Sequence, residues 1–279
     1  MKKRNSNPTI VYYQDELNDD FAGNNIKTKV IDKKFKFIHK NLLWRCFSFI
    51  IYYLIAIPVV TFYTVIIKRV KFVNKKALKR AKKHSKKGVF LYGNHTGAID
   101  AYTPNIISFP YRNKIVVSPD AVSIPGIKNI VQMVGGIPVP SDISSLRRFT
   151  SAIEYYNKEG FNITIYPEAH IWPFHTGVRN FKDSSFAYPI STNSPVIAFF
   201  LAFSEPKGLF SKFRKANYTV FVSDPIFPNT NLPKKEAQKE LRDKVFEFMK
   251  DCSQKHSTYK IVDYKHISEK PNKKDTTDK

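Results

Sequence analysis

The chain has 279 residues, which is enough for one large α/β domain with an appendage. Its 42% hydrophobic content permits a proper core, and its net charge of +23 implies a negative partner: nucleic acid, an acidic protein or an anionic membrane surface. Cys46 and Cys252 lie far apart with no Cys/His spacing around them, which argues against a disulfide framework or a zinc site and fits a reducing cytoplasm.

The N-terminal part reads as a basic polar segment, 1–45, that leads into a long apolar run. We expect 1–45 to be irregular apart from a short basic helix before the run. Residues 46–67 (CFSFIIYYLIAIPVVTFYTVII) carry no charge and are about as long as a spanning helix. The run starts too deep in the chain for a signal peptide, and no small-residue cleavage site follows it. Pro58 is expected to kink it into two arms.

Lys and Arg flank the apolar run on both sides, although only cytoplasmic flanks normally carry such an excess. We therefore predict a re-entrant or interfacial helix pair with both ends on the cytoplasmic face of the cell membrane. A single span is the alternative, and a buried core helix is the weaker one. The Lys-rich stretch 72–87 is expected to form a helix on the membrane surface, so that 46–87 anchors the protein. Attraction to an anionic phospholipid membrane accounts for the charge, and no nucleic-acid module is visible.

From residue 88 onward, short β-rich runs alternate with helical stretches. Strands are predicted at 88–93, 114–118, 136–139, 161–166, 195–203 and 218–223, and helices at about 98–108, 122–134, 142–158, 184–193 and 233–254. This alternation predicts an α/β fold with a mostly parallel sheet flanked by helices, in a domain spanning 88–258. Ligand sites in such sheets lie beyond the carboxyl ends of the strands. The polar tail 259–279 is expected to be loose.

A histidine and an aspartate follow the first of these strands in Gly93-Asn94-His95-Thr96-Gly97-Ala98-Ile99-Asp100. With His95 in the turn after the strand and Asp100 in the first turn of the next helix, the carboxylate reaches one imidazole nitrogen. It would then fix the tautomer and stabilise the imidazolium that forms after proton abstraction. The histidine–aspartate pair by itself is a weak signal, because a lone histidine is more often structural.

Three further blocks follow in order, each where a strand meets a loop. They are Gly135-Gly136-Ile137-Pro138, Tyr166-Pro167-Glu168, and the apolar strand that begins at Pro195. Together with the first block they resemble the glycerolipid acyltransferase family, which includes the 1-acylglycerol-3-phosphate acyltransferases. The likeness covers roughly residues 88–225, and Phe181-Lys182 ahead of Phe186 resembles a further Phe-Lys run of that family.

The resemblance implies transfer of a fatty acyl chain from an acyl carrier protein or coenzyme A thioester to a lysophospholipid hydroxyl. No metal-ligand cluster is visible in the sequence, so we expect chemistry that needs no metal or other cofactor. It implies that His95 is the general base and that Asp100 is its partner. The predicted substrate-binding residues are Glu168, Asn94, Tyr166, Pro167, Gly136, Arg179 and Lys182. Two arginines that the family uses to hold the acceptor phosphate are missing here. Nearby cations are the possible substitutes, namely Arg147, Arg148, Arg179, Lys182 and His170.

Other functions stay open at this point. The family resemblance also allows another acceptor, such as glycerol 3-phosphate, a different lysolipid or a glycolipid. A non-enzymatic basic protein that binds membrane or nucleic acid would explain the charge, but not the ordered blocks. A hydrolase would normally need a G-x-S-x-G nucleophile elbow, and the sequence contains none.

Overall fold

A computed structural model describes residues 7–269 except 24–27, 208–210 and 212–213. Its main sheet has seven strands in the order β2-β8-β7-β3-β6-β4-β5. The strands are β2 (Lys71–Val73), β3 (Phe90–Gly93), β4 (Asn113–Val117), β5 (Gly136–Pro138), β6 (Asn162–Ile165), β7 (Val196–Ser204) and β8 (Asn217–Val222). Every neighbouring pair is parallel except β7 and β8. The predicted α/β class with a mostly parallel sheet is confirmed, and all six predicted strands are present.

Helices cover both faces of this sheet, as the alternating sequence predicts. They are α3 (Ala77–His84), α4 (Thr103–Ser108), α5 (Lys128–Met133), α6 (Ile143–Lys158), α7 (Ala187–Thr192) and α8 (Lys234–His256). Phe149 of α6 and Val245 of α8 belong to the core cluster on one face. Leu78 of α3 and Ile107 of α4 belong to the cluster on the other face. The central strands are buried on both sides, which explains their nearly continuous apolar sequence.

The Lys-rich stretch differs in part from its prediction. Its first residues form the short strand β2 at the sheet edge, and only Ala77–His84 is helical. Ala77, Leu78 and Ala81 are buried against the sheet, so the helix uses its apolar side for the protein core, and Lys79 and Lys83 are exposed.

The apolar run forms one continuous helix, Leu42–Ile67, with two α segments, α1 (Leu42–Ile50) and α2 (Ile57–Thr61), each followed by a π-helical segment. The predicted helix pair is therefore wrong. Pro58 does not break the helix, because the preceding π turn (Ile51–Ala56) opens the backbone where the proline ring would otherwise meet a carbonyl. Among the described residues this is the one helix long and apolar enough to cross a membrane, with a mean hydropathy of 2.3.

One side of this apolar helix packs on the domain along most of its length. Ser48 Oγ donates to the Met133 carbonyl, Tyr52 OH donates to Asn105 of α4, and the ring centroids of Tyr63 and Tyr102 lie 5.6 Å apart. The opposite side exposes large apolar residues, namely Leu42, Leu43, Phe47, Phe49, Ile50, Leu54, Ile55, Val59, Phe62, Val65, Ile66 and Ile67. An exposed apolar surface of this size is typical of contact with a membrane or a partner, and the helix is a candidate membrane anchor.

Residues near the two ends of the described chain pair with each other, although the sequence predicts irregular structure for both. Strand β1 (Thr9–Tyr13) pairs in parallel with β9 (Val262–His266) in a separate two-stranded sheet. The expected irregularity of 1–45 and looseness of 259–279 are thus wrong for these residues. No helix precedes Leu42 among the described N-terminal residues. The division of the chain at residues 45, 87 and 258 stays a prediction.

Candidate active site

The site lies at the carboxyl ends of two adjacent central strands. Strands β3 and β6 run parallel, with Tyr92 opposite Ile165, so the residues that follow them emerge at the same edge of the sheet. The chain continues from β3 into Asn94 and His95, and from β6 into Tyr166, Pro167 and Glu168. The first and third blocks of the sequence are therefore brought together by the pairing of their strands.

His95 and Asp100 form the central pair of the site. The Nδ1 atom of His95 lies 2.9 Å from Oδ2 of Asp100, and their side chains are 18% and 3% exposed. Asp100 belongs to the short 3-10 helix Ala98–Ala101, whose first turn carries the carboxylate back over the loop. Gly97 makes this return possible with a φ of +148°, a conformation that other residues rarely adopt.

The Asp100 carboxylate is held by the loop that it folds back on. Its Oδ2 atom accepts the backbone N–H of Gly97 at 2.8 Å and that of Thr96 at 2.5 Å. Two amide donors and the imidazole thus fix one oxygen, so the carboxylate can hold the ring in a single orientation.

Tyr166 forms one wall of the pair. Its ring stacks on the imidazole of His95, with centroids 4.4 Å apart and planes 13° apart. Its hydroxyl donates to the backbone carbonyl of Asp100. Burial raises the pKa of Tyr166 well above its ordinary value, helped by the negative charge of Asp100, so the phenol stays protonated and remains a donor.

Glu168 connects the two blocks through a buried ion pair. Its Oε2 atom accepts the backbone N–H of His95 at 3.2 Å and lies 3.1 Å from a guanidinium nitrogen of Arg179. Its Oε1 atom accepts the backbone N–H of Arg179 at 3.2 Å. Burial raises the pKa of Glu168, and the positive charge of Arg179 opposes that rise.

The loop after Glu168 is supported by the two chain ends. Trp172 donates its backbone N–H to the His95 carbonyl, and its indole N–H to the Asp19 carbonyl at 2.8 Å. The Trp172 ring contacts Tyr13, Phe21 and Tyr264 with centroids 4.8 to 5.2 Å away. The two-stranded sheet and the N-terminal segment therefore hold the Trp172 loop against the histidine.

Ala169 occupies an unusual backbone conformation in that loop, with a φ of +64°. A glycine would adopt this left-handed backbone without the steric cost that the alanine carries.

Eight solved chains match this protein in structure. One is the crystal structure of the 1-acyl-sn-glycerophosphate (LPA) acyltransferase from Thermotoga maritima. The TM-score is 0.48 at 16% sequence identity, over 78% of this chain and 98% of that chain. No family model and no curated protein matches the chain.

Several predicted site residues lie at the site, but with side chains that are already occupied. Asn94 is buried and exchanges two hydrogen bonds with the backbone of Leu201, so it ties β3 to β7. Arg179 is buried against Glu168 and stacks over the Trp172 ring. Pro167 is half-buried beside Glu168.

Other predicted residues lie further away or face solvent. Gly136 begins the edge strand β5, three strands from β3, which is about 14 Å at the usual strand spacing. Lys182, Arg147 and Arg148 are exposed, and His170 lies 3.6 Å from Asp20. Of the five possible substitute cations, Arg179 is paired with Glu168, and the other four have accessible side chains.

The arrangement equips one imidazole nitrogen for proton transfer. With Nδ1 turned to Asp100, Nε2 makes no hydrogen bond to any residue in the described ranges, and part of the ring reaches solvent. The backbone N–H groups of residues 95–97 donate to Glu168 and Asp100 and are therefore not available to an oxyanion. The residues of the described ranges contain no group of three or more His, Cys, Asp and Glu side chains that could hold a metal.

Proposed function

We propose that this protein is a membrane-bound O-acyltransferase that moves a fatty acyl chain from an acyl thioester to a glycerolipid hydroxyl, with 1-acyl-sn-glycerol 3-phosphate as acceptor in phospholipid synthesis. The observation that carries the proposal is the His95–Asp100 pair, 2.9 Å apart at the carboxyl edge of a parallel sheet. It stands within an N-H-x4-D block whose third-block partner, Tyr166-Pro167-Glu168, packs against it.

In the proposed reaction, Nε2 of His95 accepts the proton of the acceptor hydroxyl as its oxygen attacks the thioester carbonyl. The tetrahedral intermediate then collapses to the ester and expels the thiolate, which takes the proton back from the imidazolium. Asp100 stabilises the imidazolium between these two steps. No acyl-enzyme is needed, because the hydroxyl attacks the donor directly.

The charge of the protein supports an acidic donor at the cytoplasmic face. Acyl carrier protein and coenzyme A are both negatively charged, and a chain with a net charge of +23 attracts them. The exposed Lys79 and Lys83 of α3 add to this field.

The packing of the apolar helix supports a position along the membrane surface. Its contacts with the domain extend from Ser48 to Tyr63, about 22 Å at the helical rise. If the helix crossed the bilayer, α4 and α5, which pack against it, would also lie in the hydrocarbon. Lying in the interface, the same helix buries its exposed apolar side in lipid. In its later half, the ring centroid of Tyr63 lies 5.6 Å from that of Tyr102, two residues beyond Asp100. This contact would place the active site close to a lipid acceptor.

The acceptor panel is the experiment that tests this function. Protein in mixed micelles is incubated with labelled acyl-acyl carrier protein or acyl-coenzyme A and with lysophosphatidate, glycerol 3-phosphate, other lysophospholipids or lyso-glycolipids. We expect transfer to lysophosphatidate and a fall in that transfer when Lys182, Arg147 and Arg148 are replaced by glutamine. Transfer only to another acceptor corrects the substrate and keeps the chemistry. Folded protein that transfers to no acceptor contradicts the proposed function and favours a basic binding protein.

A further inference from the structure

A cavity lies near the amino end of β4, at the opposite ends of the strands from His95. It has a volume of about 640 Å³ and opens between the start of the apolar helix, β4 and α6. Lys114 lines the cavity. In the sheet it pairs with Ile163 of β6, which in turn pairs with Phe90 of β3. His95 follows Phe90 by five residues, so the two sites are separated by about 16 Å along the strand direction.

Two cations, Lys114 and Arg112, line this cavity, and neither forms an ion pair with a carboxylate of the described residues. Lys114 is 6% exposed, with its ammonium 4.3 Å from the Tyr156 ring centroid and 3.4 Å from the Gln132 carbonyl. Arg112 donates to Ser48 and to the Met133 carbonyl, and its Nε is buried without a hydrogen-bond partner. Within the described residues no carboxylate comes within 4.0 Å of either cation.

Such an arrangement is costly for a folded protein. A buried charge normally has a counter-charge, and two like charges side by side repel each other. Burial and the nearby Arg112 charge lower the pKa of Lys114 to about 7. A ligand that carries two negative charges would relieve both costs. Glu159, the acidic residue on the wall, is exposed, and Arg45 adds a third cation to the lining.

Part of the wall is apolar and continues into the exposed apolar side of the helix Leu42–Ile67. Leu42, Phe49 and Ile50 of α1 line the cavity and are 71%, 54% and 45% exposed. Trp44 also lines the cavity, and its ring stacks on that of His39 with centroids 3.9 Å apart. A head group held by Lys114 and Arg112 would therefore leave its alkyl chains against the exposed side of the apolar helix.

We propose that this cavity binds a phosphate monoester, with Lys114 and Arg112 as the recognition residues. The apolar lining favours the head group of a lipid over free phosphate. Arginine matches the oxygens of a phosphate group with its planar fork, and lysine adds a point charge. This site is separate from the proposed active site and does not depend on the proposed reaction.

Trp44 emission can report directly on binding in this cavity. The other tryptophan of the chain, Trp172, lies beside His95 at the opposite ends of the strands. Full-length protein in neutral detergent micelles is titrated with dioctanoyl phosphatidate, dioctanoyl phosphatidylcholine or inorganic phosphate while tryptophan emission is recorded. We expect phosphatidate to bind roughly tenfold more tightly than phosphatidylcholine. Trp44→Phe should abolish the signal, and His95→Ala should leave it unchanged.

The variants separate a specific site from general attraction. Lys114→Met should weaken phosphatidate binding roughly tenfold, whereas Lys158→Gln, an exposed lysine of α6 outside the lining, should not change it. Arg45→Gln at the exposed rim should weaken binding about threefold and leaves the buried core unchanged.

Binding of phosphatidate alone identifies a lipid as the source, and equal binding of inorganic phosphate identifies the free anion. The proposal would be overturned if phosphatidylcholine bound as tightly as phosphatidate, or if Trp44 emission responded to neither anion. It would also be overturned if folded Lys114→Met and Arg45→Gln bound phosphatidate with unchanged affinity.

Discussion

Glu168 accepts the backbone N–H of His95 at 3.2 Å, although the two residues are 73 positions apart in the chain. The same carboxylate pairs with Arg179, and both side chains are 1% exposed. The third block thus holds the first block in place through the main chain of the histidine. This assigns Glu168 the role of a positioning residue, since its oxygens are turned to Arg179 and to the histidine backbone.

Glu168→Gln should therefore reduce both stability and activity. The amide leaves the buried Arg179 charge without a counter-charge, which typically costs about 3–5 kcal/mol. The loss of this support for the His95 loop should lower kcat by roughly a hundredfold, because even a small displacement of a catalytic group reduces the reaction rate strongly. Urea unfolding and initial rates measure the two effects. Glu247→Gln, an exposed residue of α8, is the matched control, and equal behaviour of the two variants would contradict the positioning role.

Asp100→Asn should remove most of the activity while leaving the fold. The amide cannot stabilise an imidazolium, and it can turn the imidazole to the wrong tautomer, so we expect kcat to fall by roughly 10³–10⁴-fold. Circular dichroism and micelle binding should match those of the wild type. Asp251→Asn, which changes an exposed aspartate of α8, should keep full activity. Near-normal turnover by Asp100→Asn would show that His95 works without this carboxylate.

Ala169→Gly should make the protein more stable. Relief of the left-handed conformation, with its φ of +64°, contributes about 1–2 kcal/mol, and the added freedom of the unfolded glycine offsets part of it. A net gain of roughly 0.5–1 kcal/mol in the free energy of unfolding is expected. Ala187→Gly, at the start of α7, should instead lose stability. A loss at both positions would contradict the strain at Ala169.

Lys114→Met should stabilise the protein at neutral pH but not at high pH. Lys114 has a folded-state pKa of about 7, below its ordinary value of 10.5, so the unfolded chain binds a proton that the folded chain lacks between these values. The destabilisation is fully present below about pH 7 and disappears as the pH rises toward 10.5. We expect a gain of roughly 1–4 kcal/mol at pH 7 and little gain at pH 10, measured by urea unfolding. The same gain at both pH values would show that the lysine is not buried as a charge.

The sheet could be predicted from the sequence because its strands are short apolar runs separated by helical stretches. The sequence also predicts that His95, Tyr166 and Glu168 follow strands, whereas their meeting depends on β3 and β6 being neighbours, which the structure shows. The pairing of Glu168 with Arg179 did not follow, because it depends on the course of an irregular loop. Strands β1 and β9 were missed, although TIVYY and VDYKH are rich in β-branched and aromatic residues, because neither has a partner nearby in the sequence. Pro58 misled the prediction of the helix, since a π turn accommodates its ring.

The rate of acyl transfer to lysophosphatidate by His95→Ala tests the central claim most directly. The variant is compared with the wild type and with His84→Ala, which removes an exposed histidine of α3, under conditions in which all three are folded and bound to micelles. A general base supplies at least about 10²–10⁴-fold, so His95→Ala should fall by that factor or more while His84→Ala keeps the wild-type rate. A folded His95→Ala protein that transfers acyl groups at close to the wild-type rate would contradict the assignment of His95 as the base.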